Sequence, residues 1–471
     1  MVKLEILRVV LAFLLGILLT SGCGSVMTKH TFYEPITDSV KKQRYAAAVQ
    51  KIEAAKAGNQ YEEKDRLLYY IDSGIANHYA LNHGLSTEKL SLAEDAAEEL
   101  FTKSIIRAAA SLALNDNILE YAGEDYEILY TNLLKALNFL AENDFDEAFV
   151  EIRRSNEKLD LLEMKYKDAA ERFKNSAKDD TLDVNKHLSY EIEMVRFNND
   201  AFARYLSMHM YAAEGRLDDA RIDYDMLVDA FESQPHIYDF KTPDVKYQAK
   251  KKPLISFVAL AGLSPVKEAM NLRIRTDKNL QLIQVLYTDG PKKNAEYGHL
   301  VFPVKEDYYF KFSLPRMVSR PSQIDQIKVW NGENYIGELQ LIEDVGNVAE
   351  ETFKAKKSLV YFRTIARAIV KGLAAHKMKS DIDKKNAGSI GGWLMKAAVD
   401  VGTDVIENAD LRCAHLMPGK VYVGDFEIEP GTYNFTIQFL GKNGELINSQ
   451  TIDNYVVKTR GWNLVEAFSL N

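Results

Sequence analysis

The clearest pattern of apolar and polar positions lies between residues 121 and 162, where apolar side chains recur three and four positions apart. This spacing predicts two amphipathic helices, separated by the polar turn Glu142-Asn143-Asp144. The small side chain of Ala148 stands where the second helix would approach the first most closely. The predicted apolar faces consist of Leu133, Leu134, Leu137 and Leu140 on the first helix, and of Phe145, Ala148, Phe149 and Ile152 on the second.

A similar turn-plus-helix pattern occurs three times, and aligning Ala48, Ala148 and Ala220 superimposes the three copies. Their separations of 100 and 72 residues are near multiples of the period of tetratricopeptide (TPR) repeats, about 34 residues. We therefore expect a degenerate TPR-like helical array over residues 33–245, with one long helix from Asn185 to Glu214. A generic helical bundle shows the same apolar stripes, so it remains the alternative.

Two asparagines are candidate interaction residues in this array. In TPR-like proteins the concave face comes mainly from the first helix of each pair, and Asn132 and Asn138 lie on such a helix. Their amide groups are suited to reading the backbone of a bound peptide. The alternative is that both side chains cap or bridge neighbouring helices.

The second half of the chain changes in character after Pro235. Apolar or alternating runs such as Leu254–Leu260 and Tyr433–Phe439 are bounded by turn residues, a pattern that predicts strands. We expect a β-sandwich-like domain over residues 250–471, with a helical insertion at about residues 345–407. The predicted fold class is therefore α+β, an all-α TPR-like array followed by a β-rich domain.

The predicted insertion contains a basic helix. Residues 352–380 include eight Lys or Arg and no acidic residue. Arg363, Arg367 and Lys371 are spaced four apart, which places them along one helical stripe. They are candidate contacts for an anionic partner or membrane surface. The alternative is a helix packed on the sheet, whose charges face water or pair with acids.

The N-terminus has the features of a secretory signal. Basic residues precede Val9–Leu19, an apolar run of 11 residues, and a transmembrane helix needs about 20. The following sequence LTSGC, which ends at Cys23, resembles the lipobox of bacterial lipoproteins. The resemblance implies a signal peptide over residues 1–22, lipidation of Cys23 and a tether over residues 23–32. Gly24 in place of aspartate implies sorting to the outer membrane, with the protein facing the periplasm.

Composition narrows the function classes. The net charge of −9 over 471 residues makes nucleic acid a poor partner. Nine histidines are scattered without a metal-binding motif, and no phosphate-binding loop or nucleophile elbow is present. Cys413 and His415 are thiol and imidazole neighbours, but a buried structural cysteine is the expected role. We expect no catalytic residues, no metal and no cofactor, and therefore no enzyme.

Four segments together resemble an uncharacterised family of bacterial lipoproteins with TPR-like repeats and a C-terminal β domain. They are residues 121–140, GLSPVKEA from Gly262, the helix of Arg363–Lys371, and ADLRCAHLMPGKVYVGDFEIEPGTYNF from Ala409. The resemblance implies a periplasm-facing lipoprotein grouped with curli-channel-type and peptidoglycan-synthase-activator lipoproteins, which are candidate partners.

These observations predict a lipid-anchored protein-interaction scaffold in cell-envelope assembly or secretion. The alternative is a cell-wall (peptidoglycan) hydrolase or another envelope enzyme, which a deep pocket lined by acids and histidine would favour.

Overall fold

The computed structural model describes residues 31–108, 117, 119–176, 195–249, 251–301, 309–354, 356–357, 360–361, 364–365, 368 and 408–471. Helices occupy the first half of the chain and strands dominate the second, so the predicted α+β class is confirmed. The helices are α1 (Tyr33–Lys41), α2 (Tyr45–Ala57), α3 (Arg66–Tyr79), α4 (His83–Ala108), α5 (Asp125–Ala141), α6 (Phe145–Ser176), α7 (Ala201–Ala213) and α8 (Leu217–Ser233), with a short 3-10 helix at Glu63–Asp65.

The turn between α5 and α6 follows a defined hydrogen-bond pattern. Asn143 has a positive φ of 60°, and its N–H donates to the carbonyl of Leu140 over 3.1 Å. The N–H of Asp144 donates to the carbonyl of Phe139 over 2.8 Å, which completes a Schellman motif at the end of α5. The carbonyl of Asp144 then accepts the N–H of Ala148 over 3.2 Å. Asp144 therefore takes part both in the bonds that end α5 and in the first backbone bond of α6.

The same turn joins α1 to α2, α3 to α4 and α7 to α8. The residues with positive φ are Gln43, Leu81 and Gly215, and equivalent backbone bonds surround each of them. A small, fully buried side chain occupies the Ala148 position in every case: Ala48, Ser86 and Ala220. The sequence alignment missed the copy at Ser86, because serine replaces alanine and a leucine takes the positive φ.

Helix α7 is shorter than predicted. The expected helix from Asn185 to Glu214 is wrong over residues 195–200, which are irregular, and residues 177–194 lie outside the described part. The Asp200 carboxylate accepts the N–H of Ala203 over 2.7 Å, so it caps the helix that begins at Ala201.

The strands form two sheets. A seven-stranded sheet has the order β10-β9-β6-β7-β8-β1-β11, and a four-stranded sheet has the order β4-β3-β2-β5. The strands are β1 (Leu254–Leu263), β2 (Val266–Asp277), β3 (Leu282–Tyr287), β4 (Glu296–Val301), β5 (Tyr309–Val318), β6 (Gln326–Asn331), β7 (Asn334–Asp344), β8 (Pro418–Glu427), β9 (Gly431–Leu440), β10 (Leu446–Val457) and β11 (Asn463–Ser469).

The seven-stranded sheet curls until its edges, β10 and β11, nearly meet. Side chains bridge this seam: the Phe468 N–H donates to the Gln450 amide oxygen over 3.0 Å, and the Tyr455 hydroxyl donates to the Leu464 carbonyl over 3.0 Å. In the β-sandwich predicted from the sequence, two sheets would share one core. Here the large sheet encloses its own core, and the small sheet packs on a separate cluster that includes Ile365 and Ala368.

Strand β1 is buried on both faces because the helices cover the outside of the curled sheet. Ile255, Phe257 and Ala259 point into the sheet's own core. Val258 and Leu260 alternate with them and belong to the same cluster as the apolar faces of the helices. The two halves therefore share one core across β1, and we call this contact the junction.

The predicted insertion follows β7. Residues 345–354 are helical, and so are the described residues between 356 and 368. Arg363, Arg367 and Lys371 lie outside the described residues, and so does Cys23.

Candidate functional site

The first helices of the four hairpins, α1, α3, α5 and α7, face the strand half of the protein at the junction. Segment 408–417, which is mostly irregular and leads into β8, crosses α1, α3 and α5. The Glu127 carboxylate on α5 accepts the N–H of Ala414 over 2.6 Å, and Asp72 on α3 accepts the N–H of His415 over 3.3 Å. The chain's own backbone thus lies against this face of the first helices.

Aromatic side chains hold His415 and Asp72 in place. The His415 ring stacks on Tyr33 of α1, with centroids 3.8 Å apart and planes 5° from parallel. The hydroxyls of Tyr33 and Tyr61 donate to Asp72 over 2.8 and 3.0 Å. Burial raises the pKa of Asp72 to about 7, against the effect of these donors. The arrangement binds a backbone amide and leaves Asp72 inaccessible to a substrate.

A second acid group lies at the start of α5. Burial, with the nearby charge of Glu124, raises the pKa of Glu127 to about 7. Glu124 itself pairs with Lys267 of β2 over 2.7 Å and with Lys356 over 2.9 Å. Since Lys267 is buried, this ion pair depends on the junction staying closed.

Arg412 fixes the start of the crossing segment. Its guanidinium pairs with Asp410 of the same segment over 2.7 Å and with Asp65, just before α3, over 2.8 Å. Arg412 is 3% exposed. The neighbouring Cys413 is buried as predicted, and burial raises the pKa of its thiol to about 12. A neutral thiol that accepts the N–H of Lys267 over 3.4 Å is a poor nucleophile.

Asn138, predicted as an interaction residue, lies in a buried network. Its side-chain oxygen contacts Nδ1 of His78 over 2.8 Å and Nδ1 of His83 over 3.0 Å. Its amide donates to Ser86 over 2.9 Å. Nε2 of His78 continues the network to Glu466 of β11 over 2.9 Å. Burial opposes the charged imidazole, but Glu466 outweighs it and the pKa of His78 is raised.

Asn132 occupies a similar position between helices. Its amide donates to Glu151 of α6 over 2.6 Å and to Glu94 of α4 over 3.1 Å. Lys135, which is buried beside it, pairs with both acids over 2.9 Å. Burial raises the pKa of Glu94, but Lys158 and Lys135 together lower it to about 2. Both predicted asparagines therefore bridge helices, which is the alternative described above.

His209 of α7, Ser256 of β1 and Asp425 of β8 lie close together, but they do not form a catalytic triad. Nε2 of His209 lies 3.0 Å from Asp425 of β8, and its ring stacks on Trp462. The Ser256 hydroxyl donates to Asp425 over 2.7 Å, whereas a nucleophile would donate to the imidazole. Tyr205 donates to the same carboxylate over 2.9 Å. The set joins α7 to β1 and β8.

The described surface offers a cleft of about 530 Å³ beside two hairpin turns and Gly461. Four exposed acids and no histidine line it: Glu142, Asp144, Asp146 and Glu214. In the part of the chain that the structure describes, no three His, Cys, Asp or Glu residues are arranged to bind a metal ion. No helix in that part combines the length and hydropathy needed to cross a membrane.

Comparisons with protein-family models, with curated proteins and with solved structures gave no significant match. The charged residues of the junction were not singled out from sequence as a connection between the halves. The signal in the sequence that could have indicated this connection is the presence of acidic residues and tyrosines in otherwise apolar helices such as α3.

Proposed function

We propose that the protein is an outer-membrane lipoprotein that acts as a periplasmic scaffold for other proteins in cell-envelope assembly or secretion. The observation that carries this proposal is the hairpin turn that recurs at Gln43, Leu81, Asn143 and Gly215. Successive helices pack on one another, and such hairpins are the units from which TPR-like arrays are built. Arrays of this kind bind partners and perform no chemistry.

The binding surface in this proposal is the outer face, made by the second helices. The first helices are covered by the strand half, so they offer no free groove to a partner. In the described helical region, the large apolar side chains that are exposed lie on the second helices of the hairpins, except for one in the turn between α3 and α4. They are Leu81, then Leu85 and Leu92 of α4, Leu161 and Met164 of α6, and Leu217 and Ile222 of α8. A partner protein that bound the outer face would bury these side chains.

The anchor in this proposal is Cys23. Changing Cys23→Ala should release the protein from the membrane fraction, because the acyl chains that hold it there would be missing. Labelling with a radioactive fatty acid measures the modification directly. Wild-type protein that takes up no label would refute the anchor without affecting the scaffold role.

A photoreactive residue in place of Leu85 tests the scaffold role in intact cells. We expect a discrete crosslinked product with a second envelope protein from this position. The control is the same residue in place of Tyr335, which is equally exposed but lies on β7. Discrete products from Tyr335, with none from Leu85, Leu161 or Ile222, would refute the outer face as the binding surface.

A further inference from the structure

Two buried carboxyl groups from opposite halves of the chain lie on either side of the Tyr238 hydroxyl, which accepts the N–H of Ala201 over 2.9 Å and donates to Glu343 over 3.0 Å. Asp200 precedes α7 and is 2% exposed, and Glu343 on β7 is fully buried. Each has one satisfied oxygen: Asp200 accepts the N–H of Ala203 over 2.7 Å, and Glu343 accepts the hydroxyl of Tyr238 over 3.0 Å. Their other oxygens, Oδ2 of Asp200 and Oε1 of Glu343, make no hydrogen bond of ordinary length in the described part, and neither does the hydroxyl of Tyr130 on α5. The backbone N–H of Phe202, at the start of α7, lies close enough to favour the charged form of both carboxyl groups.

Charge compensation around this pair is incomplete. The cation that acts on Asp200 is Arg204, and its guanidinium is already engaged by Asp223 over 3.2 Å. On the sheet side the neighbouring charge is Asp344, which adds a second negative group beside Glu343. Lys420 of β8 lies 3.7 Å from Asp344, so two carboxylates at Asp200 and Glu343 would share Arg204, which Asp223 already engages, as their partly buried cation. A retained proton removes one charge and supplies a hydrogen-bond donor to an oxygen that lacks one.

The electrostatics agree with this geometry. Burial raises the pKa of Asp200 to about 6. Burial, together with the charge of Asp200, raises the pKa of Glu343 well above its ordinary value. An acid whose pKa is raised on folding stabilises the folded state below its unfolded pKa, and the contribution is lost as pH rises through the folded pKa. The pair should therefore hold the junction more firmly in acid than in alkali.

We propose that Asp200 and Glu343 form a proton-controlled latch between α7 and β7, which is closed while the pair holds a proton and weakened when both groups ionise. The groups that face it are Tyr130 from α5, Tyr238 from the segment after α8 and Arg204 from α7 itself. The latch gives the junction a response to pH that an apolar contact would lack. Loss of the proton should loosen α7 and the irregular residues 195–200 before the hairpin turns.

The test compares the thermal unfolding midpoint of the full chain at about pH 5 and about pH 8, a range that brackets the titration. We expect the wild-type midpoint to be lower at the higher pH. Asp72 and Glu127, with pKa values of about 7, contribute to this decrease, so Glu343→Gln should reduce it in part. Glutamine keeps an acceptor for Tyr238, carries no charge and has an amide donor in place of the retained proton. The control is Glu338→Gln on the exposed side of the same strand, which should keep the wild-type profile. A Glu343→Gln profile identical to wild type would overturn the proposal.

Hydrogen exchange on the wild-type chain keeps the proposal testable even if the variant does not fold. After correction for intrinsic exchange rates, protection of residues 195–206 should fall several-fold more between the two pH values than protection of residues 140–152. Equal changes in the two segments would overturn the latch.

Discussion

In the hairpin turns, contact between helices depends on backbone hydrogen bonds and on one small buried residue, such as Ala148. At the junction, the shared apolar core is supplemented by buried ionisable side chains, such as Glu127, Lys267 and Arg412, that reach backbone or charges of the other half. The turns are local, with partners at most five residues apart. The junction joins residues more than 100 positions apart, as in the Lys267–Glu124 pair.

This difference indicates which substitutions should destabilise each region most. A turn tolerates changes in charge around it but not in the volume of its buried residue, because the helices touch there. The junction is sensitive to the loss of one member of an ion pair, because the other member is left buried and charged. The following predictions test this contrast, from the largest expected effect to the smallest.

Ala148→Arg should have the largest effect. The position is fully buried between α5 and α6, so a long charged side chain would have to separate the helices or lose its hydration. We expect a loss of about 4 kcal/mol in the free energy of unfolding, measured by denaturant titration. The matched control is Ala141→Arg at the exposed end of α5, which should change stability little. A stable Ala148→Arg variant would show that the hairpin contact is misassigned.

Arg412→Met should cost about 3 kcal/mol, because Asp410 and Asp65 would lose their shared cation in a buried site. Arg216→Met is the comparison, since Arg216 also pairs with acids but is half exposed. Its loss should change stability little, because solvent screens this exposed pair. Equal effects of the two variants on the denaturation midpoint would contradict the role of burial at the junction.

His78→Gln should have a smaller effect, one that depends on pH. The raised pKa of His78 means that its contribution is present in acid and is lost as pH rises through that pKa. We expect a loss of about 1 kcal/mol at about pH 6, shrinking as the pH rises. Denaturant titration of both proteins across the pH range measures this difference. A difference that stays constant with pH would mean that folding does not raise the pKa of His78.

The sequence predicted the turns better than the junction, for a physical reason. Helical periodicity and a small residue at a fixed position are local signals, so the α5–α6 hairpin and Ala148 could be predicted. Alternation in Tyr433–Phe439 likewise predicted β9. Strand β11 was missed because its polar Glu466 interrupts the apolar pattern, and that residue is the one that reaches His78.

The remaining differences between the sequence-based predictions and the structure involve buried polar residues. Asn132 and Asn138 have side chains typical of a protein surface, and only tertiary contacts with Glu94, Glu151 and His78 explain their burial. The spacing of apolar residues also predicted a helix that begins well before Asp200, although aspartate is a favoured N-cap residue. Sequence patterns describe which face of an element is apolar, but they do not show which polar groups find partners on it.

Hydrogen exchange in segment 408–417 tests most directly whether the chain's own backbone occupies the face of the first helices. Most of this segment is irregular, so an ordinary surface loop of the same sequence would exchange its amides quickly. We predict that the amides of Ala414 and His415, bound by Glu127 and Asp72, are protected about as strongly as those of β8. Exchange as fast as at the exposed turn residue Lys442 would contradict the account.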